Sequence, residues 1–289
     1  MAESGMLYLV ATPIGNLEDM TFRAIRVLKE ADLIAAEDTR GTIRLLNHFE
    51  IHTPMTSYHE YNKVAKARML VGKMLEGQTV ACVTDAGTPG ISDPGEVLVQ
   101  MAQDAGIRVI PVPGACAAVS ALVASGLPTG RFCFEAFLPA GKKEREAVLA
   151  ELKEETRTIV LYEAPHRIRK TLKILLDALG DRDISICREL TKVHEEIRKT
   201  TITEALSFYE KQEPRGEYVL AVAGRSRKEL IESRQEAVRG EMSLEEHMKQ
   251  YLESGMDRKE AMKAVAQDRG MTKREVYAQL LEAENTTEP

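Results

Sequence analysis

The chain has 289 residues, 44% of them hydrophobic and 29% charged, which is enough for two packed domains and a small appendage. Its formal net charge of −6 argues against a protein that coats nucleic acid with its whole surface, so any RNA contact has to be local. Four scattered cysteines without a CxxC pair, and no N-terminal apolar run long enough for a signal peptide or a membrane span, favour a soluble protein of the reducing cytoplasm.

In chain order up to about residue 224, short β-rich runs alternate with stretches of helical spacing. This alternation is typical of an α/β architecture with a largely parallel sheet. Phe22, Ile25 and Leu28, for example, place three apolar side chains on one helix face. The predicted strands are residues 7–11, 33–37, 79–83, 108–112, 132–138, 158–162, 184–188 and 218–223. The predicted helices between them are residues 21–30, 61–76, 95–104, 115–124, 142–152 and 167–179.

Two breaks in this pattern divide the chain. The first is the glycine- and proline-containing segment 124–130, ASGLPTG, which interrupts the periodicity before a second set of strands begins. The second is compositional, because no β-rich run recurs from Arg225 onward. We therefore predict an N-terminal α/β lobe at residues 1–124, a second α/β lobe at 125–225, and a connector with a small helical module at 226–289.

The tail beyond the charged connector has the spacing of short amphipathic helices. Ser243 with Glu246, and Thr272 with Glu275, match capping boxes. A glycine before the last helix fits a helix-turn-helix connection. Between Asp257 and Arg274 six Lys and Arg residues exceed three acidic ones, which makes this part of the module a candidate for RNA docking. A packing appendage with a solvated basic face is the alternative. The predicted helices are residues 243–253, 257–267 and 272–281.

The most informative loop is the segment 83–95, VTDAGTPGISDPG, in which three glycines and two prolines follow an apolar run. Gly87 and Gly90 permit positive φ and close backbone approach, while Pro89 fixes φ. Such a loop presents a fixed array of main-chain donors and acceptors, as a ligand-binding loop does. A rigid strand-to-helix connection without a ligand is the alternative interpretation.

Three more loops rich in turn residues follow other predicted strands, at residues 11–17, 37–40 and 111–115. Because carboxyl-end loops of parallel strands converge on one crevice, these loops predict one shared site. The sequence contains no GxxxxGK[ST] phosphate loop, no GxGxxG after the first strand, no HExxH and no zinc-ligand spacing. These absences leave little support for a kinase, a dehydrogenase or a zinc hydrolase, and we expect no metal.

Six segments together carry a family likeness: LYLVATPIGNL at 7–17, AEDTR at 36–40, DAGTPGISDPG at 85–95, PVPG at 111–114, YEAPHR at 162–167 and RELTK at 188–192. The chain resembles the tetrapyrrole methylase superfamily, and most closely its branch that methylates small-subunit ribosomal RNA. The likeness extends through Gly224, and the tail fits the small helical domain of that branch. TPIG at 12–15 and GTP at 87–89 differ from the turns of the tetrapyrrole enzymes, which weakens a tetrapyrrole substrate.

The resemblance implies two α/β lobes with S-adenosylmethionine folded into the cleft between them, and it implies a homodimer. It also implies that backbone groups of the loops hold the cofactor while the second lobe closes over it. The implied cofactor-binding residues are Pro13, Ile14, Gly15, Gly87, Thr88, Pro89, Gly90, Ile91, Pro113, Gly114, Ala115, Cys116, Ala117, Tyr162, Tyr218 and Leu220.

The activity that the resemblance implies is 2′-O-methylation of a cytidine ribose in the decoding region of 16S ribosomal RNA. The partner is then 16S ribosomal RNA or the small ribosomal subunit. Two alternatives stay open: a precorrin-type tetrapyrrole C-methyltransferase on the same scaffold, and a noncatalytic RNA-binding ribosome-assembly factor that retains the pocket.

A ribose hydroxyl has a pKa far above 7, so some group must accept its proton late or stabilise the developing alkoxide. The candidates are Asp38, His59 and Glu189. Each has a simpler reading, because Asp38 also fits a helix cap, His59 a surface histidine, and Glu189 an ion pair with a neighbouring cation.

Cations beside the motif loops are candidates for contact with RNA phosphates, since the planar guanidinium suits bidentate phosphate contacts. An ion-pair network between the lobes is the alternative role. The candidate RNA-binding residues are Arg40, Arg167, Arg188 and Lys192.

Overall fold

The computed structural model describes residues 5–286. The chain divides into two compact units, one of residues Met1–Leu152 with Arg157–Ala223, and one of Lys153–Thr156 with Gly224–Pro289. The last three residues of the predicted helical module, 287–289, and the polar residues 1–4 lie outside the described part.

The first sheet of the larger unit has five parallel strands in the order β3-β2-β4-β1-β5. Helices cover both of its faces, so its strands read as continuous apolar runs; β4, for example, is buried throughout. The strands are β1 (Met6–Val10), β2 (Leu33–Ala36), β3 (Met55–Ser57), β4 (Val80–Val83) and β5 (Arg108–Val112). The helices are α1 (Phe22–Glu30), α2 (Thr39–His48), α3 (Lys63–Leu75), α4 (Gly95–Asp104) and α5 (Ala117–Ala124).

The second sheet has the order β6-β7-β10-β8-β9, and only the β6–β7 pair is parallel. The expectation of a largely parallel sheet is therefore correct for the first lobe and wrong for the second, where β10 inserts between β7 and β8 and pairs antiparallel with both. The strands are β6 (Phe132–Phe134), β7 (Thr158–Glu163), β8 (Asp183–Arg188), β9 (Glu196–Thr201) and β10 (Tyr218–Val222). The helices are α6 (Lys142–Glu154), α7 (Ile168–Leu179) and α8 (Ile202–Lys211).

Several elements have no counterpart in the sequence-based predictions. β3 has three residues, and β9 is an edge strand with charged side chains, so neither has an apolar run that marks it. α2 begins at a side-chain cap from Asp38 rather than at a marked change of pattern. The predicted strand at 132–138 ends at Phe134, and Ala136 adopts a left-handed φ of 49°.

The smaller unit is entirely helical in its described residues. Its helices are α9 (Arg227–Glu241), α10 (Leu244–Glu253), α11 (Arg258–Asp268) and α12 (Lys273–Thr286), so the segment predicted as a charged connector is itself a helix. The capping box at Ser243 and Glu246 is confirmed. Arg269, though charged, is buried, and it donates to His247 Nδ1 at 3.0 Å and to the carbonyl oxygens of Met242 and Ser243. Within residues 5–286 no helix is both long and apolar enough to cross a membrane.

Candidate functional site

A crevice opens in the first sheet where the chain leaves neighbouring strands in opposite directions. β1 and β4 are adjacent, yet the chain continues from β1 to α1 on one face and from β4 to α4 on the other. Ligands bind at such a switch point in open α/β sheets. Directly beyond the two strand ends, Thr12 and Gly87 exchange two backbone hydrogen bonds, of 2.9 and 3.0 Å. We call this pair the Thr12–Gly87 bridge.

Internal hydrogen bonds hold the glycine- and proline-rich loop in one conformation. Asp93 Oδ1 accepts from the backbone N–H of Gly90 at 2.9 Å and of Gly95 at 2.7 Å. Gly87 and Gly90 have φ of +83° and +87°, a region that glycine adopts without the Cβ clash other residues suffer. Thr88 Oγ1 donates to Ala115 O at 2.9 Å, which ties the loop to the segment after β5. The loop is thus preorganised.

A cavity of about 400 Å³ lies between the carboxyl-end loops of the first sheet and the second sheet; we call it cavity 1. Its volume falls in the range of small-molecule sites, and its lining is mainly apolar. The lining residues are Ile14, Ala86, Gly87, Thr88, Ile91, Cys116, Ala117, Phe137, Tyr162, Glu163, Ala164, Pro165, Cys187, Leu190, Glu217, Tyr218 and Val219.

One wall of cavity 1 combines an aromatic ring with the start of a helix. Tyr162 packs edge-on against Phe134 and Phe137, with ring centroids 5.0 and 5.8 Å away, and its hydroxyl accepts from the N–H of Ala118 at 3.3 Å. Burial raises the pKa of Tyr162, so the hydroxyl stays neutral. Cys116 occupies the N-cap position of α5 and makes no side-chain hydrogen bond to the helix, so the side-chain acceptor in the first turn is the Tyr162 hydroxyl.

A second cavity, of about 410 Å³, lies between the loops after β1 and β4 and helix α2; we call it cavity 2. The Thr12–Gly87 bridge relates the two cavities, because Thr12 lines cavity 2 and Gly87 lines cavity 1. The residues that line cavity 2 are Thr12, Pro13, Gly15, Leu17, Gly41, Thr42, Arg44, Leu45, Thr84 and Asp85.

None of the three candidate proton acceptors lines either cavity. Asp38 caps α2, and its Oδ1 accepts a hydrogen bond from the backbone N–H of Arg40 at 2.9 Å. This hydrogen bond lowers the pKa of Asp38. His59 Nε2 forms a hydrogen bond with Asn62 Nδ2 at 3.3 Å. The buried Nδ1 of His59 has no hydrogen-bond partner among the described residues.

Glu189 is the third candidate, and it belongs to an ion-pair cluster. Its carboxylate accepts from Lys192 Nζ at 2.8 Å and from the N–H of Glu217 at 2.9 Å. Partial burial alone would raise the pKa of Glu189, but these hydrogen bonds and the charges of Lys192 and Arg188 lower it. A carboxylate with a lowered pKa is a weaker base.

The four candidate RNA-binding cations differ in their freedom. Lys192 Nζ also bonds Glu217 Oε2 at 2.8 Å, Arg188 pairs with Glu196 at 3.4 Å, and Arg167 pairs with the buried carboxylate of Glu163 at 3.3 Å. The Arg40 side chain is 92% exposed, and among the described residues its one ion pair is with Asp38, over a long 3.5 Å. Arg40 is therefore the cation most available to an external anion.

The sixteen implied cofactor-binding residues are divided between the two cavities and the surrounding scaffold. Pro13 and Gly15 line cavity 2 instead of cavity 1. Leu220 is fully buried in the core of the second sheet. Neither cavity is lined by Pro89, Gly90, Pro113, Gly114 or Ala115. Those that line cavity 1 are Ile14, Gly87, Thr88, Ile91, Cys116, Ala117, Tyr162 and Tyr218.

Cavity 1 also has lining residues that are absent from the predicted set. The motif YEAPHR at 162–167 marks this loop, but of its residues the predicted cofactor set contains the tyrosine alone, and Arg167 is a candidate for RNA instead. Leu190 lies in the segment RELTK at 188–192, whereas Phe137 and Cys187 carry no sequence signal, because apolar residues near strand ends are equally common in cores. Within residues 5–286 no group of three or more His, Cys, Asp or Glu side chains is arranged to hold a metal ion.

Comparison with known proteins shows the family to which this two-lobed α/β chain belongs. A family model of tetrapyrrole (corrin/porphyrin) methylases matches residues 6–206, and the chain belongs to this family. It is 52% identical to a Halalkalibacterium halodurans protein named ribosomal RNA small subunit methyltransferase I, over 95% of this chain and 94% of that protein. A Bacillus subtilis protein of the same name is 46% identical over 96% of this chain and 94% of its own length.

A solved structure of uroporphyrin-III C-methyltransferase from Thermus thermophilus, complexed with S-adenyl homocysteine, matches with a TM-score of 0.53. The match covers 76% of this chain and 97% of that chain at 23% identity. At this identity the likeness shows a common fold.

Proposed function

We propose that the protein is an S-adenosylmethionine-dependent methyltransferase that acts on small-subunit ribosomal RNA. The observation that carries the proposal is similarity along almost the whole chain, 52% over 95% of it, to a protein of that name. The finer proposal is that the acceptor is the 2′-hydroxyl of a cytidine in the decoding region of 16S ribosomal RNA. The small ribosomal subunit is then an alternative form of the substrate.

The properties of cavity 1 support S-adenosylmethionine as its ligand. Apolar side chains such as Ile14, Ile91 and Leu190 suit an adenine ring. The N-terminus of α5, where the N-cap residue Cys116 makes no side-chain hydrogen bond, suits a carboxylate or hydroxyl. A Cβ added to Gly87 would stand 3.3 Å from Ile14 Cγ2, so this part of the cavity wall leaves little room for a side chain.

The bound cofactor would supply a methyl group on a sulfonium, whose leaving thioether is neutral, so no metal is needed to assist its departure. The protein then has to position the acceptor in line and exclude competing water. The preorganised loop from Gly87 to Ile91, held by Asp93, suits the first task. The edge-on aromatic wall at Tyr162 suits the second.

A homodimer and a location in the cytoplasm belong to the same proposal. The helical module at residues 226–289 is proposed to dock on RNA, because α12 carries exposed Lys273 and Arg274 at its start. Sedimentation of the purified chain tests the dimer directly.

Methyl transfer with radiolabelled S-adenosylmethionine tests the function. The acceptors are small subunits, or free 16S ribosomal RNA, from cells that lack the gene, with uroporphyrinogen as a rival acceptor. We expect label in the ribosomal RNA and none in the tetrapyrrole. Label in the tetrapyrrole alone would establish a C-methyltransferase, and cofactor binding without transfer to any acceptor would indicate an assembly factor.

A further inference from the structure

Cavity 2 lies beside cavity 1 on a shared loop. Cavity 2 is lined by Pro13 and Gly15, whereas Ile14 between them lines cavity 1. The backbone of this loop therefore runs between the two cavities. The Thr12–Gly87 bridge fixes that backbone with its two hydrogen bonds. If cavity 1 holds a methyl donor, the position of cavity 2 suits the group that receives the methyl.

The polar groups of cavity 2 are few and open to a ligand. Among the described residues that line it, Arg44 is the only cation and Asp85 the only carboxylate. Arg44 is exposed and has no hydrogen bond or ion pair with any described residue. Asp85 Oδ1 accepts from the N–H of Asp38 at 2.9 Å, which anchors the side chain and leaves Oδ2 without a described partner.

These groups match one nucleotide of an RNA chain better than a tetrapyrrole. A guanidinium binds one phosphate in a bidentate manner, and a carboxylate accepts a hydrogen bond from a ribose hydroxyl. The several carboxylates of a tetrapyrrole would meet one cation and the like charge of Asp85. Arg40, four residues before Arg44 on α2, adds a second exposed cation one helical turn away for a neighbouring phosphate.

We propose that cavity 2 binds the acceptor nucleotide of the RNA, with Arg44 on a flanking phosphate and Asp85 as a positioning residue that accepts a hydrogen bond from the ribose hydroxyl. This inference rests on the proposed function, because it names the substrate-binding half of the same site. Arg44 lies outside the six family segments, and Asp85 begins one of them, at 85–95, without being among the candidate site residues.

Gly41 offers a way to block the proposed site without disturbing the fold. It lies on α2 and lines cavity 2, and a Cβ added to it meets no atom within 4 Å. Replacement of a helical glycine removes a residue of poor helix propensity, so Gly41→Leu should be tolerated and should fill the cavity. Gly72 is a matched control, since it also lies inside a helix, α3, has no atom within 4 Å of an added Cβ, and lines neither cavity.

The test compares three measurements on the full chain: affinity for 16S ribosomal RNA without cofactor, affinity for S-adenosylmethionine by calorimetry, and steady-state methyl transfer. For Gly41→Leu we expect kcat/KM for RNA to fall at least about tenfold. The affinity for S-adenosylmethionine should stay within about twofold of the wild type. Gly72→Leu should match the wild type in all three measurements.

Arg44→Gln provides a second route that does not depend on filling the cavity. It should raise KM for RNA severalfold and reduce the slope of log affinity against log salt by about one, as expected for one lost phosphate contact. Arg68→Gln, at another exposed arginine, on α3, is the control. Asp85→Asn keeps an oxygen for the N–H of Asp38, and it should lower kcat more than RNA affinity.

Wild-type methyl transfer separates the failure of this inference from failure of the proposed function. If the wild type does not methylate ribosomal RNA at all, the proposed function fails and cavity 2 loses its substrate. If the wild type is active and Gly41→Leu and Arg44→Gln behave like their controls, the acceptor lies elsewhere and this inference is overturned.

Discussion

The side chain of Lys192 lies directly across the backbone of Gly15: a Cβ added to Gly15 would stand 2.3 Å from Lys192 Cγ. Gly15 belongs to the loop after β1 in the first lobe, and Lys192 follows β8 in the second. Lys192 has little freedom to withdraw, because Glu189 and Glu217 each accept a hydrogen bond from Nζ at 2.8 Å. This contact therefore joins the lobes at the edge of the site, and it explains why that position holds a glycine.

The Gly15–Lys192 contact predicts an epistatic pair. Gly15→Ala should destabilise the chain by about 1–3 kcal/mol, because the added methyl overpacks against the Lys192 stem. Lys192→Ala should remove that clash, so the double variant should be more stable than the sum of the single effects by at least about 0.5 kcal/mol. Denaturant unfolding of the four proteins measures this. Strict additivity would mean that Lys192 swings aside without cost.

A matched pair of glycines separates cofactor contact from backbone strain. Gly87 and Gly90 share a left-handed φ, so alanine at either should cost about 1–2 kcal/mol of strain. Only Gly87 of the two lines cavity 1. We expect Gly87→Ala to weaken S-adenosylmethionine binding by about tenfold or more and Gly90→Ala by clearly less. Equal losses by calorimetry would show that the loop acts through its conformation alone.

The helical module should lose stability as the pH falls through the range where histidine titrates. Burial, reinforced by the positive charge of Arg269, lowers the pKa of His247 below its ordinary value of 6.5. The unfolded module therefore takes up a proton at a higher pH than the folded one, so stability is complete above about pH 6.5 and declines below it. Protonation of Nδ1 would also break its hydrogen bond from Arg269.

Hydrogen exchange of α10 and α11 at pH 7.5 and 5.5 measures this dependence after correction for the intrinsic rate. His247→Gln keeps an acceptor for Arg269 but does not titrate, so its protection should be nearly independent of pH. The same pH dependence in both proteins would assign the effect to other groups.

The exposed cations of the module should affect RNA binding without affecting the cofactor. Replacing Lys259, Lys263, Lys273 and Arg274 by Ala should weaken RNA binding and flatten its salt dependence, with unchanged affinity for S-adenosylmethionine. Full RNA activity combined with a loss of dimerisation or thermal stability would instead make the module a packing element.

Elements with strong local signals were predictable from the sequence. The apolar runs at β4 and β5 predict strands close to the observed bounds, and the helix predicted at 95–104 coincides with α4. The direction of strand pairing in the second lobe was not predictable. An apolar run such as that of β10 predicts a buried strand, but it does not distinguish parallel from antiparallel pairing. α9 was missed because a helix of mostly charged residues has no marked apolar stripe.

The candidate site was predictable to the level of loops but not of side chains. The motif around Gly87 located cavity 1, since glycine and proline report directly on backbone shape. Sequence alone did not separate Ile14, which lines cavity 1, from its neighbours Pro13 and Gly15, which line cavity 2. Arg44 has no sequence signal, because exposed charged residues are common, and Asp85 belongs to the motif at 85–95 without being distinguished within it; only the folded chain brings these two to one cavity.

Mapping the transferred methyl group within the RNA tests the central claim most directly. The labelled 16S ribosomal RNA is hydrolysed with alkali, which cleaves next to a free 2′-hydroxyl and not next to a methylated one. We expect the label in one alkali-resistant dinucleotide that begins with a cytidine of the decoding region. Label released in mononucleotides would place the methyl on a base, and together with an unlabelled ribose it would contradict 2′-O-methylation by this protein.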